Sequence, residues 1–258
     1  MKELTTMKLP LLYIPKLRIK FFLNIEKKYR YKPVIIPIGN DCHPAYMLGK
    51  LKLRNDSLPF DWLYTTPIFG IKYVLQNMNN NFKNFLSELC INKNGNVISA
   101  AYKHTQFIHE KDLINNLQSQ KTFTHRIERL MTLLKSKKCY FIFNVPSMSF
   151  DSSSAVEEFI ASAIEFTHLI KEEDRLLIYI RYDESNTENA EICDKLTSSF
   201  ANLNKISIGT YIINIKKCGM WGKEKEYIKL LNNFGINLSL SIIPKIYLTK
   251  KNIKPSSE

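Results

Sequence analysis

In the second half of the chain, apolar positions alternate between two rhythms. Phe123, Ile127, Leu130, Met131 and Leu134 recur at i, i+4, i+7, i+8 and i+11, which is one face of a helix. Residues 139–145 form a continuous apolar run of strand length. Val156, Phe159, Ile160, Ala163 and Ile170 then mark a helix that opens on the serines at 152–154. Residues 176–180 predict a strand, and Cys193, Leu196 and Phe200 a helix face. A strand at 206–215 and a helix carrying Tyr227, Leu230, Leu231 and Phe234 complete the series. Buried strands alternating with helices of this length predict an α/β fold, a mainly parallel sheet flanked by helices in a Rossmann-like three-layer arrangement.

The first half is less regular. Residues 34–38 read as a short buried strand, weakened by Pro37, which cannot donate to a ladder. Gly39-Asn40-Asp41 ends it as a turn, and a helix follows over about 42–51, with Pro44 tolerable in its first turn. Residues 96–102 are a further candidate strand. Before residue 33, Leu17, Phe21 and Ile25 recur at i, i+4 and i+8 among Arg18, Lys20, Lys27 and Lys28. That spacing predicts a basic amphipathic helix within residues 9–30, suited either to an anionic membrane surface or to packing on its own domain.

Charge sharpens this division. Residues 1–32 hold nine Lys/Arg against two Glu, a net +7, and residues 245–258 hold four Lys against one Glu, a net +3. Only +3 of the total +13 is left for the body between them. The expected organisation is therefore a basic segment at 1–32, one α/β catalytic domain at 33–244, and a basic tail at 245–258. Nucleic acid is not expected as a partner, because the basic residues sit at the ends and no aromatic-plus-arginine reading motif accompanies them. No apolar run approaches the ~18–20 residues that span a bilayer, and no secretory cleavage site follows the first apolar stretch. The expected location is the cytoplasm, with residues 9–30 offering contact with the inner face of the membrane.

Five cysteines, far apart and without a Cys-x-x-Cys pair, argue against a disulfide framework and against structural zinc. The densest chemistry lies in Ile38-Gly39-Asn40-Asp41-Cys42-His43-Pro44-Ala45-Tyr46, where the strand at 34–38 turns into a helix. Ligands of open α/β sheets bind at such carboxyl ends. A thiol in the first helical turn feels the positive end of the helix dipole, which should lower its pKa. Unpaired backbone N–H groups of that turn could hold an oxyanion, with the Asn40 side chain as a further donor. Gly39 would let substrate approach the backbone, and His43 falls on the same oxyanion and substrate side. A plainer reading makes Asp41 an N-cap and Cys42 a buried spacer.

A thiolate needs a proton partner. His43 adjoins Cys42, and neighbouring helical side chains diverge by ~100°, so it is a poor base. His104 and His109 both lie just after the candidate strand at 96–102, where a catalytic histidine belongs. Their spacing would also suit a metal, yet no third ligand stands out, and neither metal nor cofactor is expected. Asp61, in Ser57-Leu58-Pro59-Phe60-Asp61-Trp62, could orient the histidine as the third member of a triad. It could equally be a helix cap over aromatic anchors.

Gly39-Asn40-Asp41-Cys42-His43-Pro44-Ala45, Arg54 and Ser57-x-Pro59-Phe60-Asp61-Trp62 resemble the signature of an uncharacterised family of papain-like cysteine peptidases. Phe107-Ile108-His109, the helix with His125-Arg126-Ile127-Glu128-Arg129-Leu130, and Trp221-Gly222 resemble its later elements. Glu110 stands where the commoner residue is Asp, and His125 where it is Arg. The resemblance spans roughly residues 33–235 and implies a Cys42–His109 pair; papain's own α+β fold is the alternative architecture. The turn around Cys42 is also similar to one in acyltransferase-like proteins of bacterial capsule and lipopolysaccharide synthesis. It is similar too to the nucleophile turn of SGNH esterases, although those place a histidine near the C-terminus and none follows His168 here.

Three functions compete on these grounds. One is a cysteine-dependent hydrolase, a peptidase or esterase, working through a thiolate and an acyl-enzyme. Another is an acyltransferase of surface-polysaccharide synthesis that uses the same intermediate. The third is a non-enzymatic binding module. The substrate, whether acyl, peptide or glycan, is not specified by the residues.

Overall fold

The computed structural model describes residues 6–17, 19–26, 29–31, 33–150, 152–183, 190–240 and 245–252. At its centre is a parallel four-stranded sheet of β3 (Val34–Pro37), β4 (Cys139–Pro146), β5 (Arg175–Asp183) and β6 (Ile206–Ile213), in spatial order β6-β5-β4-β3. Val34 lies opposite Cys139, Tyr179 opposite Asn144, and Arg181 between Pro146 and Tyr211. Pro37 is accommodated because β3 is an edge strand, paired among the described residues with β4 alone.

Alternate residues of these strands feed two cores. Ile35, Ile142, Leu177, Tyr179 and Tyr211 pack with α1 (His43–Lys50) and α7 (Glu224–Asn233). Ile36, Phe141, Phe143, Leu176 and Ile178 pack instead with α2 (Pro67–Asn79), α3 (Leu117–Ser136), α4 (Ser153–Leu169) and α5 (Ala190–Phe200). A one-turn helix, α6 (Ile215–Cys218), precedes α7. The fold is mixed α/β with a parallel sheet, as the alternation of apolar runs predicts.

α2 had no counterpart in the sequence pattern. Pro67, Gly70, Ile71, Tyr73, Val74, Leu75 and Asn77 are all buried, so it is covered nearly all round and shows no single apolar stripe. Gly70 is required there. A Cβ would lie 2.5 Å from the ring of Phe143.

The largest departure concerns the chain ends. Among the described residues of 9–30 there is no helix of the expected kind; β1 (Thr6–Ile14) and β2 (Ile19–Glu26) form an antiparallel hairpin around the turn Pro15–Leu17. The basic stretch at 245–258 supplies β7 (Lys245–Asn252), which pairs antiparallel with β2. Spacings of four are also multiples of two, so Phe21 and Ile25 line one face of a strand as readily as of a helix. Aromatic and β-branched residues then favour the strand. Arg18, Lys27 and Lys28 of the expected helix lie outside the described residues. No helix among the described residues is long and apolar enough to cross a membrane.

Candidate active site

The turn after β3 is held by two neighbouring strands and by the helix that follows it. Asp41 Oδ1 accepts the His43 amide at 2.8 Å and the Asn144 Nδ2 of β4 at 3.0 Å. Asp41 Oδ2 meets Arg181 of β5 at 2.8 Å. Cys42 is thereby fixed as the residue before α1, at the carboxyl end of the sheet. Gly39 serves this packing. A Cβ on it would fall 2.3 Å from Asn144 Oδ1 and 2.7 Å from Pro44 Cγ, so the close approach it permits is by its own chain. Gly39→Ala is expected to push Asn144 off Asp41 and cost about 1–3 kcal/mol of stability, read by denaturant unfolding. An unchanged midpoint would mean that the turn relaxes freely.

A second set of contacts delivers the histidine. Thr65 N–H donates to the Asn40 carbonyl at 2.7 Å, and the strand Tyr64–Thr65 pairs antiparallel with Thr105–Gln106. The Phe107 amide donates to Val97 O at 2.8 Å, while the buried Phe107 ring packs edge-on against Phe85 and Phe123. His109 emerges two residues beyond this anchor, exposed, with Nε2 3.5 Å from Cys42 Sγ. The Trp62 indole stands edge-on to its ring at 6.0 Å. His104 is placed elsewhere, its ring 4.1 Å from that of Phe69 on α2.

Three expected roles need correcting. Asp61 does not turn to the histidine. Its Oδ2 pairs with Arg54 and accepts the Leu58 amide at 2.9 Å, and among the described residues its Oδ1 has no partner. Burial raises Asp61 to about 6 despite Arg54 and that amide. Arg54 also lies over Trp62 at 5.2 Å, so Asp61 acts on the site through Arg54 and the indole. His43 does not face substrate; it is 1% exposed, with Nδ1 2.6 Å from the Tyr179 hydroxyl and Nε2 3.1 Å from the Trp221 carbonyl. A carbonyl only accepts, so Nε2 carries the proton and Tyr179 donates to Nδ1. Burial, then the charge of Arg181, lowers His43 to about 4 and keeps it neutral. Trp221-Gly222 closes this pocket, the Trp221 indole stacking at 3.9 Å on Tyr46.

The thiol departs from expectation as well. Cys42 is raised above its ordinary value, first by burial and then by the Asp41 carboxylate. Its own amide and Arg181 oppose this without prevailing. The dipole of an eight-residue helix is outweighed by desolvation and a carboxylate one residue away. Asn40 is buried, and its Oδ1 has no partner among the described residues. Sequence reading missed Arg181 and Asn144, which carry no local signal and reach Asp41 only through strand order.

A cavity of about 250 Å³ is lined by Ala45, Tyr46, Gly49, Lys50, Lys52, Arg54 and Trp62; neither Cys42 nor His109 lines it, and Trp62, edge-on to His109, links it to the pair. The Ser57–Trp62 loop is clamped from α3, where Arg129 donates to the Ser57 carbonyl at 2.8 Å. Fold and geometry together describe an α/β protein with a thiol–imidazole pair at the carboxyl end of a parallel strand. Residues 33–217, well over half of the chain, match the family described as "Putative papain-like cysteine peptidase (DUF1796)", and the chain belongs to that family. It is also similar to an uncharacterised protein, R408, of Acanthamoeba polyphaga mimivirus, at 29% identity over 153 residues covering 49% of this chain and 68% of the relative. No solved structure matches it.

Proposed function

We propose that the protein is a cysteine-dependent acyl hydrolase, a peptidase or esterase, in which Cys42 is the nucleophile and His109 its base. The observation that carries this reading is the 3.5 Å approach of His109 Nε2 to Cys42 Sγ across 67 residues of sequence. Because the resting thiol is protonated, His109 Nε2 takes the S–H proton as Sγ bonds to the substrate carbonyl carbon. The His43 amide is already committed to Asp41, so the Cys42 amide is the turn's nearest donor for the developing oxyanion, with Asn40 beside it. Collapse of that intermediate breaks the bond to the leaving group, which receives the proton from His109, and leaves a thioester on Cys42. Water, deprotonated by His109, then releases the acid and the thiol. The surrounding fold, with helices on both faces of the sheet, is in this reading the Rossmann-like three-layer form, supported by the two separate cores.

The test is acylation by an activated ester, followed by peptide mapping. The acyl group should map to Cys42, not to the exposed Cys90 or the buried Cys139, whose thiol is pushed up to about 11. Alkylation of Cys42 by iodoacetamide should climb with pH through the neutral range and beyond, since a raised thiol yields little thiolate below it. A reactivity plateau already reached in mild acid would show a preformed ion pair, and an acyl group on any other cysteine would remove Cys42 as nucleophile.

A further inference from the structure

The sheet β1–β2–β7 turns an apolar face to solvent. Its register puts Met7, Ile25 and Ile246 in one row, Leu9, Leu23 and Leu248 in the next, and Leu12, Phe21 and Lys250 in a third, all on the same face. The outer members of these rows are open to solvent: Met7 is 52% exposed, Leu9 40%, Leu12 55%, Ile246 59% and Leu248 60%. Leu11, extruded by the bulge between Pro10 and Leu12, and Leu17 at the hairpin tip are more exposed than Leu9 or Met7. On the opposite face Asn24 is buried, its Nδ2 2.9 Å from Thr249 Oγ1. Antiparallel sheets usually turn the apolar face inward and the polar face to water. A contiguous apolar surface of this kind marks an interaction site.

We propose that this face docks on the surface of an anionic lipid bilayer. Charge selects the occupant. The two chain segments that meet in this sheet carry +7 and +3 of the total +13; Lys250 lies on the apolar face itself, Lys16 stands at the hairpin tip, and Lys8, Lys20 and Lys251 project from the reverse of the same three strands. Such a surface complements acidic headgroups: the leucines and isoleucines enter the acyl boundary, the ammonium groups of Lys250 and Lys16 stay at the phosphates, and the lysines of the reverse face, one sheet thickness away, add attraction over about a Debye length. The same charge opposes a second copy, which would bring two cationic sheets face to face. Edge pairing is discouraged as well, by Pro10 and the bulge in β1 and by adjacent lysines in β7.

Vesicle flotation of the full chain tests this, with phosphatidylcholine vesicles against phosphatidylcholine containing phosphatidylglycerol. Binding is expected only to the anionic vesicles and is expected to fall as salt rises. Leu9→Glu/Leu248→Glu should abolish it, Lys250→Gln should weaken it roughly fivefold, and Lys251→Gln, on the reverse face, should weaken it less. Exposed positions should tolerate these changes, and circular dichroism checks the fold. Independently of those variants, Leu11→Trp should gain fluorescence that brominated lipid quenches when anionic vesicles are added. Equal binding to neutral and anionic vesicles, or no binding by the intact chain, overturns the proposal. So does a wild-type dimer that Leu9→Glu/Leu248→Glu converts to monomer without any vesicle binding; the face would then join two copies. Activity at Cys42 plays no part in the readout, so this result stands apart from the proposed function.

Discussion

His109→Ala is expected to slow acylation of Cys42 by roughly 10²–10⁴-fold at neutral pH, the usual worth of a positioned base. The raised thiol makes the effect large, because without the imidazole almost no Cys42 is ionised there. It also sets the pH dependence. As pH climbs toward and past the thiol's own pKa, thiolate forms unaided, so the deficit of the variant should narrow steadily. Cys42→Ala should lose the rapid acylation at neutral pH, leaving only the slow reaction of exposed groups such as Cys90 as pH rises. His104→Ala should match the wild type, since that ring packs on Phe69. Rates of adduct formation across the pH range decide the matter. A deficit for His104→Ala equal to that for His109→Ala, or a constant deficit at all pH values, would reassign the base.

Arg54→Gln is expected to cost about 3–5 kcal/mol of stability, because it strands a carboxylate that is wholly buried. Burial already raises Asp61 to about 6, with Arg54 and the Leu58 amide pulling against it. A carboxyl group whose folded pKa is raised binds its proton more tightly in the native state than in the unfolded chain. Its contribution is therefore most favourable below the unfolded value near 4 and is lost as pH rises through about 6. Removing Arg54 moves the folded pKa higher still. The gap between variant and wild type should then be small near pH 5 and largest near pH 8, in urea unfolding at both. Adding Asp61→Asn to Arg54→Gln should recover much of the loss. A gap under about 1 kcal/mol, or one independent of pH, would mean that the pair is not the buried contact described.

Local pattern reaches a long way into this protein and then stops for identifiable reasons. The strands at 34–37, 139–146, 175–183 and 206–213 are legible because buried parallel strands are short uninterrupted apolar runs. α3, α4 and α7 are legible because each buries one stripe. α2 is not, being buried on most sides. The hairpin at 6–26 is not, because Leu17, Phe21 and Ile25 fit periods of both four and two, and only pairing with β7 selects the strand.

The site divides in the same way. The sequence by itself determines that Cys42 follows a strand and precedes a helix, since Gly39-Asn40-Asp41 and Pro44 specify that turn locally. Tertiary structure alone decides what surrounds it. That His109 and not His104 stands beside Cys42 rests on Phe107 entering the core and on the Tyr64–Thr65 pairing with Thr105–Gln106. The fate of His43 rests on Tyr179, Tyr211, Trp221 and Tyr227 closing over it. The protonation of the thiol rests on burial and Asp41, whose other partners come from β4 and β5. Spacing along a chain fixes dihedral preferences and the direction a side chain leaves its own element; desolvation and charge pairing depend on distance in space, which only the packed sheet sets.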